Sequence, residues 1–285
     1  MILQDFLPAP EVRGFVQCYR IVHFNFNDFQ EVPFKAYPPK PEQILHFFLR
    51  DHFAVEHPDG TKALQPSILF AGQRTRLVNQ YQGRDFLDVQ IVFQPAGIYR
   101  LTRIPACELI DRHFDAESIF PRHVRAVLDR LQSASGYNSF IPIVETFVNG
   151  LIDSVAVDAI PLDLVSERLG KNPTCLSVEK MAVQACLSVR QFERSFVERV
   201  GVNPKMYARI ARLNRAYNLR NKYPGKKWSD ISVAAGYFDY QHLVKEYKVL
   251  TGMAPAGLHQ LESRSPESVL DLSRALYHQR WQSGL

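Results

Sequence analysis

The stretch GYFDYQHLVKEYKVLTGMAP, Gly236 to Pro255, decides the reading of this chain. A glycine and two aromatics precede an aspartate, a run with helical spacing follows, and Gly-Met-Ala-Pro closes it. Asp239 stands where a helix cap is needed, because its side-chain oxygen can accept from an amide two or three residues on. Leu243, Tyr247 and Leu250 then share one helical face, and Gln241, Lys245 and Lys248 share the other. Gly252 is predicted to end the helix in a left-handed conformation. On this reading the aromatics tie the helix to a partner and the Gln/Lys side is left at the surface.

About fifty residues upstream the pattern recurs. MAVQACLSVRQFERSFVERVGVNP runs from Met181 to Pro204, and ISVAAGYFDYQHLVKEYKVLTGMAP from Ile231 to Pro255. Met181 matches Ile231, Cys186 matches Gly236, Phe192 matches Leu243, and Phe196 matches Tyr247. Gly201 matches Gly252 and Pro204 matches Pro255, with one extra residue in the second turn. A unit present twice is a duplicated supersecondary element, not a solenoid. In the first copy Ser188 is the predicted N-cap, and Gln191, three residues on, completes a capping box. Phe192, Phe196 and Val200 form the apolar stripe there, with Arg190 and Arg194 roughly opposite.

A short helix, a tight turn and a capped second helix with a polar, basic face is the helix-turn-helix arrangement. Its second helix fits the major groove and reads base edges near its N-terminus. An ordinary helical hairpin with a solvated basic face gives the same pattern once, and duplication weighs against that. So does charge. The whole chain of 285 residues carries +5. Between Lys171 and Gln260 fifteen Lys/Arg face six Asp/Glu, a net +9, which leaves −4 on the rest. A basic third on an acidic body points to a polyanionic partner. Between the copies, PKMYARIARLNRAYNLRNKY, Pro204 to Tyr223, has helical spacing, a proline suited to its start and Pro224-Gly225 to end it. About eighteen residues at ~1.5 Å each make a rod of ~27 Å, against ~34 Å between successive major grooves on one face of DNA.

The remainder reads differently. Residues 1 to about 105 are rich in Pro, Phe and Gln, with short strand-like runs. DVQIVF puts Val89, Ile91 and Phe93 on one face, ILHFFL and SILF read as buried strands, and Pro58–Gly60 is a turn signal. Two later runs carry helical spacing, through Val124, Val127, Leu128 and Leu131, then Ile143, Phe147 and Leu151. Such helices pack either on the sheet or on a second subunit, and the pattern does not choose. The aromatics Phe24, Phe26, Tyr37, Phe47, Phe48 and Phe93 read as core more readily than as pocket lining. Cys18, Cys107, Cys175 and Cys186 form no C-x-x-C pair and read as reduced thiols. The start MILQDFLPAPEV meets an acid within five residues, so no signal peptide is expected, and no window is apolar enough to span a membrane.

The C-terminal ninety or so residues resemble the DNA-binding domain of the AraC/XylS family of bacterial transcription regulators. The resemblance rests on LSVRQFERSF (187–196), GVNP (201–204), RIARLNRA (209–216), ISVAAGYFDYQHLVKEYK (231–248) and TGMAP (251–255). Ser232 stands where that family usually has Ala, and Tyr237 and Tyr247 where Phe is common. The resemblance implies two helix-turn-helix units joined by a long helix and seated in adjacent major grooves. Carried over by position, Arg190, Glu193 and Arg194 read bases in the first unit, and Tyr240, Gln241 and Lys245 in the second. The amides near Ser188 and Asp239, with Lys205, Arg209, Lys226, Lys227 and Lys248, are candidate phosphate contacts. The N-terminal part is only weakly similar to the family's sensor half, a small barrel followed by helices, and no ligand residue carries over.

The expected architecture is α+β: a mainly β, cupin-like barrel module with helices, then an all-α domain. The expected boundaries are 1–155 for a sensor or dimerisation module, 156–175 for a junction, 176–262 for the double helix-turn-helix and 263–285 for a helical tail that packs back or dimerises, plain packing being preferred. Expected partners are promoter or operator DNA, with RNA polymerase, a small-molecule effector and a second copy of the chain as further candidates. Membranes are not expected as a partner, and the expected location is the cytoplasm, at the nucleoid.

No cofactor, metal or catalytic group is expected. His46, His52 and His57 lack metal-ligand spacing, and nothing along the chain brings Cys107 or Cys18 to His113 or His23 as a nucleophilic pair. An architectural, non-specific binder is the main alternative, and an enzyme with a DNA-binding appendage a weaker one. Glu193 and Gln241 argue against the former, since neither gains from phosphates and both suit base edges.

Overall fold

The computed structural model describes residues 1–57, 59–120, 123–155, 158–173, 177–273 and 275–277. Two antiparallel sheets form the N-terminal module. The six-stranded sheet runs in the order β1 (Ile2–Phe6), β2 (Val16–Asn25), β9 (Asp85–Phe93), β4 (Gln43–Phe48), β7 (Ile68–Ala71) and β10 (His113–Asp115). The four-stranded sheet runs β3 (Phe34–Tyr37), β8 (Val78–Gln82), β5 (Phe53–Glu56) and β6 (Lys62–Leu64). His57 accepts from the Gly60 amide at 2.9 Å, which closes the expected turn; Pro58 lies outside the described residues.

Both faces of the six-stranded sheet are covered, which is why ILHFFL and SILF read as continuous apolar runs instead of alternating ones. Register sets Leu45 and Tyr19 beside Ile91, and Phe47 and Ile21 beside Val89. That face buries against α2 (Val124–Ser133) and α3 (Phe140–Val155), through Val127, Leu131, Val144 and Phe147. A short helix, α1 (Gly97–Thr102), precedes them. The middle helices therefore pack on the sheet of their own chain. The other face meets the four-stranded sheet through Val22, Phe24, Phe48, Leu69 and Phe86 against Phe53 and Val55.

Seven further helices follow among the described residues. They are α4 (Pro161–Lys171), α5 (Val178–Gln184), α6 (Val189–Val200), α7 (Pro204–Lys222), α8 (Trp228–Ala235), α9 (Tyr240–Thr251) and α10 (Pro255–Glu262), with one turn, α11 (Pro266–Val269), in the tail. The stretch read as a junction carries α4, whose Leu162, Val165 and Leu169 bury with Phe192, Phe196 and Tyr207. A second cluster joins Leu213 and Tyr217 to Ile231, Leu243, Tyr247 and Leu258.

The two halves are docked. Ala36 of β3 belongs to that second cluster, and Lys35 beside it is buried with Glu262 of α10 and Glu267 of α11 as its carboxylate partners. Lys35 donates to Glu262 at 3.1 Å. In the tail, Tyr277 is buried and meets the Tyr217 ring edge-on; residues 278–285 lie outside the described residues. No helix among the described residues is long and apolar enough to cross a membrane.

Candidate nucleic-acid interface

The two turns are built alike to the level of single hydrogen bonds. In the first turn Cys186 donates to Val183 O at 3.0 Å and Leu187 to Ala182 O at 3.0 Å. In the second, Gly236 donates to Val233 O at 3.0 Å and Tyr237 to Ser232 O at 2.9 Å. Both turns need one residue with positive φ, +93° at Gly236 and +57° at Cys186. A Cβ in that region crowds the following carbonyl, so the first turn is strained where the second is not.

Each second helix then opens on its expected cap. Ser188 Oγ accepts from the Gln191 amide at 3.4 Å while Gln191 Oε1 accepts from the Ser188 amide at 3.1 Å, closing the capping box. Asp239 Oδ1 accepts from the His242 amide at 2.7 Å. Both side chains are thus engaged inward, and what each helix start offers an anion is its remaining free amides. Phe192, Phe196 and Val200 are buried on α6, and Leu243, Tyr247 and Leu250 on α9. Gly252 adopts φ +73°, ψ −2°, in the left-handed basin; Gly201, at φ +107°, ψ −34°, lies outside it.

The candidate base-reading residues lie on the opposite faces. Arg190, Arg194, Gln241 and Lys245 are exposed, and Glu193 and Tyr240 half-buried. Lys205, Lys226, Lys227 and Lys248 are exposed. Arg190, Arg194, Lys245 and Lys248 have no ion-pair partner among the described residues. Arg209 differs: its Nε donates to Glu246 Oε2 at 2.8 Å, bracing α7 against α9. The reading of both aromatics before Asp239 as anchors holds for Tyr237, which is buried, and fails for Phe238, which is 89% exposed beside the start of α9.

Sequence reasoning missed the groups that orient the first unit. Arg199 is buried in α6 and meets Asp163 of α4 through two bonds of 2.7 Å, and its guanidinium lies 4.7 Å from the Tyr99 ring centroid of α1. The available signal was a charge on the apolar stripe, since Arg199 falls between Phe196 and Val200. Tyr99 OH donates to Glu198 Oε1 at 3.3 Å, so the β module also touches α6.

Between the two sheets lies a small polar cavity of about 50 Å³, bordered by Arg20, Lys35, Arg74, His46 and Asp88 and closed by Glu267 and Tyr277 of the tail. Of the aromatics read as core, Phe24 and Tyr37 border it; Phe26, Phe47, Phe48 and Phe93 are buried outside it. His46 Nδ1 pairs with Asp88 Oδ2 at 2.8 Å. Among the described residues no three His, Cys, Asp or Glu side chains are grouped to hold a metal ion. Cys175 lies outside the described residues.

Residues 181–260 match the family model of a helix-turn-helix domain. Those residues are an AraC-type helix-turn-helix domain. Comparison with curated proteins gave no match. Among solved structures the chain is similar to ToxT from Vibrio cholerae, with 11% identity, a TM-score of 0.48, and coverage of 85% of this chain and 98% of that one. A ToxT structure with an unsaturated fatty acid bound gives 10%, 0.47, 87% and 97%. The AraC-like transcriptional activator CuxR gives 15%, 0.24, 75% and 86%. The AraC-type domain occupies the basic third of the chain, and α4 before it shares its core.

Proposed function

We propose that this chain is a sequence-specific DNA-binding transcription regulator whose α6 and α9 enter adjacent major grooves, and whose β module places that binding under a small-molecule effector. The observation that carries the reading is the duplication. Two helices with matching turns and caps stand at the two ends of α7, and each turns exposed Arg, Gln or Lys outward. The nineteen residues of α7 span ~28 Å, comparable with the ~34 Å groove repeat once the width of the units is added. Arg190, Glu193 and Arg194 are assigned to base edges by α6, and Tyr240, Gln241 and Lys245 by α9. Lys205, Lys226, Lys227, Lys248 and the free amides at the two helix starts are assigned to phosphates. Phe238 joins the second set, where an exposed ring suits a thymine methyl or a deoxyribose.

Effector control is supported by how the halves are joined. A buried lysine of β3 holds carboxylates of α10 and α11, so a change in the β module acts directly on α10, whose Leu258 shares a core with α7 and α9. The test is selection of bound sequences from a random duplex library with the full chain at near-physiological salt. Enrichment of two short blocks about one helical turn apart is expected. Binding at low salt only, with no enriched sequence, would favour a non-specific architectural binder.

A further inference from the structure

The two outward helices can be laid over one another residue by residue. Each has twelve residues, Val189–Val200 in α6 and Tyr240–Thr251 in α9, and each opens on a side-chain cap, Ser188 or Asp239. Counted from the cap, the buried stripes coincide: Phe192 falls with Leu243 and Phe196 with Tyr247. The outward residues therefore pair as well. Arg190 pairs with Gln241 at the second residue, Glu193 with Val244 at the fifth, and Arg194 with Lys245 at the sixth. These positions stand on one face, because they lie three or four residues apart. From second to sixth that face rises ~6 Å, about two base-pair steps at ~3.4 Å each.

The paired positions differ in what they can read. Arg190 is exposed, and its guanidinium offers parallel donors that match the O6 and N7 acceptors of guanine. Gln241 is exposed in its place on α9, and its amide offers one donor and one acceptor, which match N7 and the N6 amino group of adenine. Glu193 is half-buried and makes no ion pair among the described residues. A carboxylate only accepts, and DNA phosphates repel it, so it needs an amino donor at a base edge. Cytosine N4 is that donor; adenine N6 sits beside the N7 acceptor, which a carboxylate avoids. Val244 makes no such demand in α9. Arg194 and Lys245 both match guanine. The second unit also has an apolar reader without counterpart in the first. Phe238 is the extra residue of its turn, is 89% exposed, and precedes the cap of α9. The apolar group that the major groove offers such a ring is the thymine methyl.

We propose that the DNA site is asymmetric in base composition. Helix α6 reads a block of G·C pairs, with guanines on Arg190 and Arg194 and a cytosine on Glu193. Helix α9 and its turn read a mixed block, with an adenine on Gln241, a thymine on Phe238 and a guanine on Lys245. The proposal rests on the DNA-binding reading above and names the bases which that reading selects. The two blocks are not interchangeable, so the chain lies on its site in one direction.

The test is selection from a random duplex library at near-physiological salt with three full-length proteins: the unaltered chain, Glu193→Gln and Gln241→Glu. The unaltered chain should enrich one G·C block and one mixed block. Glu193→Gln should move one pair of the G·C block from C to A, and Gln241→Glu one pair of the mixed block from A to C. Each exchange should shift preference at its pair at least roughly fivefold and leave the other block as it was. A second arm alters only the DNA. Replacing single thymines of the selected site by deoxyuridine removes the methyl alone. One such replacement in the mixed block should weaken the unaltered chain roughly threefold or more and leave Phe238→Ala unaffected. Two enriched blocks whose preferences neither exchange moves would overturn the proposal and leave the DNA-binding reading standing. A deoxyuridine effect that persists in Phe238→Ala would overturn the thymine assignment. No enriched block with any of the three proteins would overturn both readings together.

Discussion

Arg199 and Asp163 meet side by side through two 2.7 Å bonds, both more than nine-tenths buried, and so fix the angle of α6 against α4. Asp163 Oδ2 also accepts from the Ile160 amide at 3.0 Å, so one carboxylate caps α4 and holds α6. Removing one partner of a buried pair strands the other charge. Asp163→Ala should cost about 3–5 kcal/mol by urea denaturation. The double variant Asp163→Ala, Arg199→Leu should lose less than the sum of the singles, and additive losses would show that the pair is not coupled.

Arg194 is exposed on α6 without a carboxylate partner among the described residues. Arg194→Ala should weaken operator binding by about 1–3 kcal/mol and relax preference at one base pair. Equal loss on operator and random duplex, by titration of both, would remove Arg194 from the base-reading set.

Lys248 lies on the exposed side of α9, one turn from its end. Lys248→Ala should weaken all duplexes alike and lower the slope of log K against log salt by about one. An unchanged slope would take it off the phosphate list.

Cys186 carries the positive φ that Gly236 carries in the second unit. Cys186→Gly relieves a backbone conformation that costs an L-residue roughly 1–2 kcal/mol and adds roughly 0.5–1 kcal/mol of unfolded-chain entropy. Thermal melts should therefore show a neutral to slightly stabilised protein, whereas Gly236→Ala should destabilise. A clear loss in Cys186→Gly would mean that the side chain, which is exposed, makes a contact of its own.

His113 of β10 packs edge-on to Phe53, and burial, with Arg74 and His46 nearby, lowers its pKa to about 3. The unfolded chain takes up the proton near pH 6.5 and the folded one only near 3. The neutral ring's contribution is thus complete above pH 6.5 and lost as pH falls between those values. Its slope is at most about 1.4 kcal/mol per pH unit. His113→Gln should flatten the acid limb of a stability-against-pH curve, and an unaltered limb would assign it to other groups.

Much of this was written locally. Ser188 and Gln191, Asp239 and the apolar stripes named both second helices because caps and helical faces depend on residues three or four apart. The α7 start needed only Asn203, whose Oδ1 accepts from the Met206 amide at 2.8 Å, and Pro204. Phe238 was misread because exposure depends on where the turn points, and two adjacent aromatics look alike in a string. Helix α4 was taken for a junction because its flanks AIPLD and GKNPT are rich in turn residues, while its apolar face is satisfied only by Phe192, Phe196 and Tyr207 far along the chain.

The sequence by itself determined the duplicated helix-turn-helix, its caps, the spacing helix and the basic faces, since each follows from short-range periodicity and charge. Tertiary structure alone decided that α2 and α3 cover the sheet of their own chain, that Lys35 reaches Glu262 and Glu267, that Arg199 finds Asp163, and that a cavity opens between the two sheets. Those contacts join residues up to more than two hundred positions apart. A buried charge or an empty space is defined by what surrounds it, and that is set only when the two halves pack together.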